Sequence, residues 1–277
     1  MNCVKYQALG NDYWVYDPKY NKEISEKIVK KLCDRHYGLG GDGVLVGPKR
    51  VNDAWKVDIY NADGSLAEIS GNGLTIFSRY LQDVNLVELN ETFYIQPSPY
   101  CKVKVVNQNY QGNIVSKVAL GKGVCSNEIL WEVPAYFQQL FELPSKLSLY
   151  KINMGNPHCV VPVNNPTNAL ACQLGKILEK HEAFPERTNV QFVRWNEYEN
   201  RAVVEIFERG SGYTLGSGSS ACAVACAYGT IFNKTTYDLK VQMPGGNLIV
   251  SKGVDGFSFL NSCKKIATIA QATLFFE

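Results

Sequence analysis

At 277 residues the chain is long enough for one large domain or for two. A formal net charge of +2, with 45% hydrophobic and 19% charged residues, is ordinary for a soluble globular protein and gives no electrostatic footprint for nucleic acid. The apolar runs fall short of a membrane span, and the nine cysteines are scattered without zinc or disulfide spacing. A reduced, cytoplasmic chain without a metal site is the expectation.

The chain opens as a strand at Met1–Tyr6, not as a signal peptide. Val4 to Asp17 alternates and is aromatic-rich around Leu9-Gly10-Asn11-Asp12, which predicts strand, tight turn, strand. Ile24 to Cys33 has apolar residues at helical spacing with lysines between, hence an amphipathic helix. Arg35 to Gly43 is a glycine-dense loop without the lysine of a P-loop, and Val44 to Val46 is a strand. Asp42, among glycines, reads as a turn residue. A strand from Trp55 leads to Asn61-Ala62-Asp63-Gly64-Ser65, then Ser70-Gly71-Asn72-Gly73 opens an apolar helix. Glu91 to Val118 reads as several strands, and Glu132 to Leu149, with two prolines and weak periodicity, as a crossing between halves.

Lys151 to Val161 reads strand, turn, strand; Leu170 to Lys180 reads helix; Pro185 to Val193 reads loop into strand. The strand Val203–Phe207 delivers Glu208-Arg209 to a glycine- and serine-rich loop. Ser217-Gly218-Ser219 then opens a helix with no polar stripe, which predicts burial on all sides. Strands near Leu239–Met243, Leu248–Ser251 and Phe257–Leu260 follow, and Ile266 to Phe276 reads as a last strand returning to the first domain.

The Ser70 and Ser217 stretches share one plan, half a chain apart, as a duplicated domain would. A loop feeding a helix N-terminus presents free N–H groups and the positive dipole end, a site for a carboxylate or phosphate. Two such termini facing one cleft would make a single site. On sequence alone the commoner role of both serines is the helix N-cap.

The motifs Leu9-Gly10-Asn11-Asp12, Arg35-His36-Tyr37-Gly38, Asn61–Ser65, Gly71-Asn72-Gly73, Gly155-Asn156-Pro157-His158, Arg187–Phe192 and Glu208-Arg209-Gly210, in this order, resemble the diaminopimelate epimerase family over nearly the whole chain. The resemblance implies an α/β (α+β type) fold of two pseudo-symmetric domains, each a mostly antiparallel, barrel-like sheet around a central helix. Expected boundaries are 1–116 plus 263–277 for one domain and 117–262 for the other. It implies a cofactor-independent epimerase that converts LL- to meso-diaminopimelate for lysine and peptidoglycan precursors, using two-sided proton transfer at Cα. The implied partner is a small amino-acid substrate, with neither nucleic acid nor membrane, and the chain a monomer or homodimer. By the same resemblance Asn61, Asn156, Asn189 and Arg209 hold the substrate's distal end. The loops at Gly71-Asn72 and Gly218-Ser219 hold its α-carboxylate, Glu208 its amino group, and Asn11 and His158 lie at the site.

One departure is chemically large. Family members use a cysteine on each face, and those positions are Ser70 and Ser217 here. A thiol has a pKa of about 8.5 and forms thiolate near neutrality with modest help; an aliphatic hydroxyl needs a strong partner base. Helix dipoles contribute only about 0.3–2 kcal/mol each. Glu208 and His158 are the candidate activating bases. Cys222, inside the helix, reads as core. Tyr213, Thr75 and Gly43 also depart, standing where glutamate, arginine and glutamine are common in the family, which fits a natural divergent subfamily better than an engineered pair. Tyr213 is packing or an acid. His158 is a structural hydrogen bonder or a site residue, with equal weight. Beside the epimerase reading stand a related isomerase or dehydratase acting on a more acidic substrate, and a binder that has lost the chemistry.

Overall fold

The computed structural model describes residues 2–67 and 69–270. Two compact units emerge, one running to Ala119 and resumed from Leu260, the other Leu120–Phe259. The chain passes between them inside strands rather than through a linker.

The first unit begins β1 (Cys3–Ala8), β2 (Asn11–Tyr16), α1 (Glu26–Cys33), β3 (Gly43–Val51), β4 (Ala54–Asn61), α2 (Gly71–Asp83), β5 (Thr92–Ser98), β6 (Cys101–Tyr110) and β7 (Asn113–Gly121). The second holds β8 (Val124–Glu132), α3 (Ala135–Phe141), β9 (Lys146–Asn153), β10 (Pro157–Pro162), α4 (Asn168–Leu178), β11 (Asn189–Asn196), β12 (Arg201–Glu208), β13 (Gly212–Thr214), α5 (Gly218–Ile231), β14 (Tyr237–Met243), β15 (Gly246–Gly253) and β16 (Gly256–Ser262). The last strand, β17 (Lys264–Ile269), pairs antiparallel with β1. The expected strand to Phe276 is thus present as far as Ile269; residues 271–277 lie outside the described residues.

From β1 to β6 the neighbouring pairs run antiparallel, parallel, antiparallel, parallel, antiparallel. From β9 through β10, β11, β12 and β14 to β15 the pattern is the same. An outer antiparallel strand flanks each series, β17 on β1 and β8 on β9. The helices fall at matching places: α1 after β2 and α4 after β10, α2 after β4 and α5 after β12 and β13. This is the mostly antiparallel, duplicated α/β fold expected from the sequence.

Local chemistry sets these elements. Leu9 and Gly10 both have positive φ (53° and 84°), the two-residue hairpin turn whose twist suits its strands, closing Ala8 on Asn11. The helices α1 and α4 start at Ser25 and Thr167, whose hydroxyls accept the N–H groups of Ile28 and Leu170. In α2, Leu74, Ile76, Phe77 and Leu81 are fully buried, each contributing roughly 1.5–3 kcal/mol. This helix packs on β1, β2, β3 and β6. In α5 every residue from Ala221 to Ala227 is buried, and it packs on β8, β9, β10, β11 and β15. A helix with no polar stripe has found apolar neighbours on all sides.

Two expectations are corrected. Glu132 to Leu149 is no crossing: it is the end of β8, the short α3 and the start of β9, all in the second unit. Pro134 starts α3 and none of its seven residues is buried, so no strong apolar period marks it. The strand at Val44–Val46 extends to Val51, with a register shift before Lys49 that interrupts its alternation.

Candidate active site

In the first unit the loop from β4 reaches α2 through Ser70, whose backbone is extended (φ −136°, ψ 116°). Its Oγ accepts the N–H of Gly73 at 3.0 Å, so the serine is the N-cap. The first turn of α2 carries no acidic residue, leaving the dipole's positive end unopposed by its own helix. Tyr13 of β2 brings its phenol oxygen to 3.4 Å from Ser70 Oγ. Asn72, buried in the same turn, donates to Asn11 Oδ1 at 2.9 Å and accepts from Asn261 at 3.3 Å. Gly71 gives its carbonyl to the buried Thr75 hydroxyl at 3.0 Å.

Behind Asn11 stands a charged brace. Asn11 Nδ2 donates to Asp42 Oδ2 at 2.9 Å. Arg35 pairs with both Asp42 and Asp12, and Lys5 Nζ lies 2.6 Å from Asp12. Burial works against the Asp12 charge, yet the Arg35 and Lys5 cations hold its carboxyl below the usual range. Asp42 is therefore more than a turn residue: it fixes the amide of Asn11, and Asn11 fixes Asn72. Asn61 stands apart, exposed at the end of β4, its amide spent on Ser65 Oγ at 3.0 Å.

In the second unit Ser217 caps α5 in the same way, accepting from Ser220 N–H at 3.5 Å, with Ser219 Oγ at 3.4 Å. Gly218 beside it is buried. Glu208 ends β12 with its carboxylate accepting from the Thr214 hydroxyl at 3.2 Å, and the Ser217 hydroxyl lies near enough to act on its charge. Burial raises its pKa, and the two hydroxyls partly offset that rise.

His158 is buried, with Nδ1 accepting from Gln191 Nε2 at 3.1 Å and Nε2 lying 2.8 Å from Asn156 Oδ1. This network assigns the proton to Nε2, which donates to Asn156. Burial first, then the Arg209 cation, lowers the pKa to about 3. A neutral imidazole that holds an asparagine amide is placed to orient that side chain. Asn189 is spent similarly: it donates to the Pro157 carbonyl at 3.0 Å and accepts Arg209 N–H at 3.0 Å. The exposed Arg209 guanidinium donates to the Glu186 carbonyl at 3.1 Å. Asn156, His158 and Glu186 line a pocket of about 210 Å³ together with Lys151 and Phe184. A larger one, about 400 Å³, lies on the β11–β12 turn and carries none of the candidate residues.

The diaminopimelate epimerase family model matches residues 3–122 and 150–258. The chain belongs to the diaminopimelate epimerase family. It is 36% identical to diaminopimelate epimerase 2 of Nostoc sp., over 96% of this chain and 94% of that one. It is 34% identical to the diaminopimelate epimerase of Elusimicrobium minutum, over 93% and 94%. Among solved structures, its fold is similar to a hydroxyproline epimerase from Agrobacterium vitis with bound trans-4-hydroxy-L-proline (TM-score 0.70, 11% identity, 97% of this chain and 91% of that one). It is likewise similar to a probable proline racemase from Agrobacterium radiobacter (TM-score 0.70, 13% identity, 99% and 93%). Membership makes this an enzyme of the epimerase and isomerase kind.

Within the family frame, the structure joins Asn11 to Asn72 beside Ser70 and brings Glu208 near Ser217, while the Asn61 amide donates to its neighbour Ser65. Sequence reasoning missed Tyr13, Gln191, Thr214 and Asn261. Gln191 lies within a quoted motif. Tyr13 immediately follows another, but reads as an ordinary aromatic of an alternating strand. No thiol replaces the serines. Cys222 is fully buried and burial pushes its thiol well above the usual range.

Proposed function

We propose that this enzyme inverts the α-carbon of diaminopimelate, LL to meso, without a cofactor, in the supply of lysine and peptidoglycan precursors. Support for the substrate comes from the family relatives and from the retained Asn156, Asn189 and Arg209. Arg209 is suited to a bidentate grip on a distal carboxylate, and the helix starts at Gly71-Asn72 and Gly218-Ser219 to an α-carboxylate.

The reading is carried by the buried Glu208 carboxylate at the end of β12, near the Ser217 hydroxyl that caps α5. A serine needs a partner base, and Glu208, made more basic by burial, is suited to that part. In the proposed step the Cα proton passes to Ser217 Oγ as the Ser217 proton passes to Glu208. The bond's electron pair stays on the substrate as an enolate, stabilised by the N–H groups of the helix start. Reprotonation at Cα completes the inversion.

The test is NMR of LL-diaminopimelate in deuterated water. Deuterium at Cα with meso product is expected, and Glu208→Gln should slow exchange by about 10²-fold or more. No exchange over a long incubation overturns the epimerase reading. The two serines give the second reading its basis: one weak acid facing one base suits elimination or tautomerisation of a more acidic substrate. Loss of water from a hydroxy-amino acid would support it. Saturable binding by calorimetry with no turnover of either kind would mark a binder.

A further inference from the structure

The departures from the family at Ser70 and Gly43 meet at one side chain. Tyr13 lies opposite Gly43 in the parallel β2–β3 pair. A Cβ added at Gly43 would come 2.6 Å from the Tyr13 ring and 2.2 Å from the Tyr60 carbonyl, so the ring occupies space that a side chain at 43 would need. From there the phenol reaches Ser70 Oγ at 3.4 Å. Tyr13 is 6% exposed, whereas Ser70 is only half-buried.

The hydrogen-bond inventory of Ser70 is then specific. A hydroxyl has two acceptor lone pairs and one proton. One lone pair takes Gly73 N–H and the other faces the Tyr13 phenol. Either hydroxyl can donate across this contact. When the phenol donates, the Ser70 proton is left for the half-exposed side, and two donors on one oxygen make its own O–H a stronger acid. A phenol, with a pKa of about 10, is a far better proton source than an alcohol alone. The 3.4 Å separation is longer than an ordinary O–H···O bond, and such contacts tighten as charge develops.

We propose that Tyr13 is the positioning and proton-supplying partner of Ser70, supplying the acidity lost with the family's cysteine. This rests on the epimerase reading above. As the substrate carbanion's electron pair forms the new Cα–H bond with the Ser70 proton, Ser70 Oγ takes the Tyr13 proton. Tyrosinate remains and regains its proton from water.

The test is a double-mutant cycle on Cα–deuterium exchange with diaminopimelate: the parent chain, Tyr13→Phe, Ser70→Cys, and both together. In the serine background Tyr13→Phe is expected to lower kcat by about 10²-fold with KM nearly unchanged. In the Ser70→Cys background, where a thiol needs no phenol, the same change should cost less than about threefold. Equal losses in both backgrounds, or none in the serine background, overturn the relay and leave the epimerase reading standing. A parent chain that exchanges nothing overturns both. Should Tyr13→Phe fail to fold, 3-fluorotyrosine at position 13 keeps the shape with a more acidic phenol; a rise in kcat at constant KM is expected, and an unchanged kcat overturns the proposal.

Discussion

His158 shows what enclosure does to a titratable side chain. In the fold its pKa is lowered to about 3, while an unfolded chain returns it to its usual 6.5. A depressed pKa stabilises the fold above the unfolded value and loses that contribution as pH falls toward the folded one. Stability should therefore decline between about pH 6.5 and pH 3, by up to about 1.4 kcal/mol per unit from this residue. Chemical denaturation at steps from pH 7 to pH 4.5 would measure the slope, and His158→Gln should flatten it. Gly43 sets a second residue-scale limit. Gly43→Ala must push a Cβ against the Tyr60 carbonyl and the Tyr13 ring, so it should cost at least about 1–3 kcal/mol, the usual penalty of overpacking. A denaturant midpoint close to that of the parent chain would contradict this. At this scale the sequence named candidate asparagines and charges but not what they touch. His158 sits in a turn motif, and only the contact to Gln191, far along the chain, shows it to be neutral and locked.

The helix starts belong to the next scale. Ser70 caps α2 through Gly73 N–H, so Ser70→Ala should lower stability by about 1 kcal/mol. Ser70→Asp keeps a good cap and should hold stability, but it places a carboxylate where the dipole would attract the substrate's own. Binding of diaminopimelate by calorimetry should then weaken at least tenfold while the melting curve stays near that of the parent chain. Tight binding by Ser70→Asp would show that this helix start holds no anion. The two capping serines were legible because a hydroxyl before an apolar run is a local signal. The strand β8 was not. It is largely exposed along its length, so it lacks the alternating apolar face by which a strand is recognised. Likewise α3 buries none of its residues, and its seven-residue length gives periodicity little room.

Across the whole molecule, chemistry and cysteine are separated. Among the described residues Cys3, Cys33, Cys159, Cys222, Cys226 and Cys263 are buried, and burial raises the thiol pKa of each, to about 12 for Cys3, Cys33 and Cys263 and about 11 for Cys226. Cys101, Cys125 and Cys172 are half-buried but are not candidate site residues, so iodoacetamide at neutral pH should leave activity intact, whereas Ser70→Cys or Ser217→Cys should make it sensitive. Rapid inactivation of the parent chain would show that some thiol serves the reaction after all. The duplicated plan was legible because two serine-capped apolar helices half a chain apart repeat a recognisable local pattern. The chain crosses between the units inside β7 and β16, where composition does not change.

The pairing of β17 with β1 also sets a timetable for synthesis. One edge of β1 has its partner in Lys264–Ile269, made after the whole of the second unit. The second unit has all its segments from Leu120 to Phe259 in hand sooner and is free to fold first. Until then the nascent chain carries an open strand edge, the feature that invites pairing with a neighbour. Nascent chains stalled before residue 264 should be the ones that call on chaperones, and the chain released from the ribosome should not.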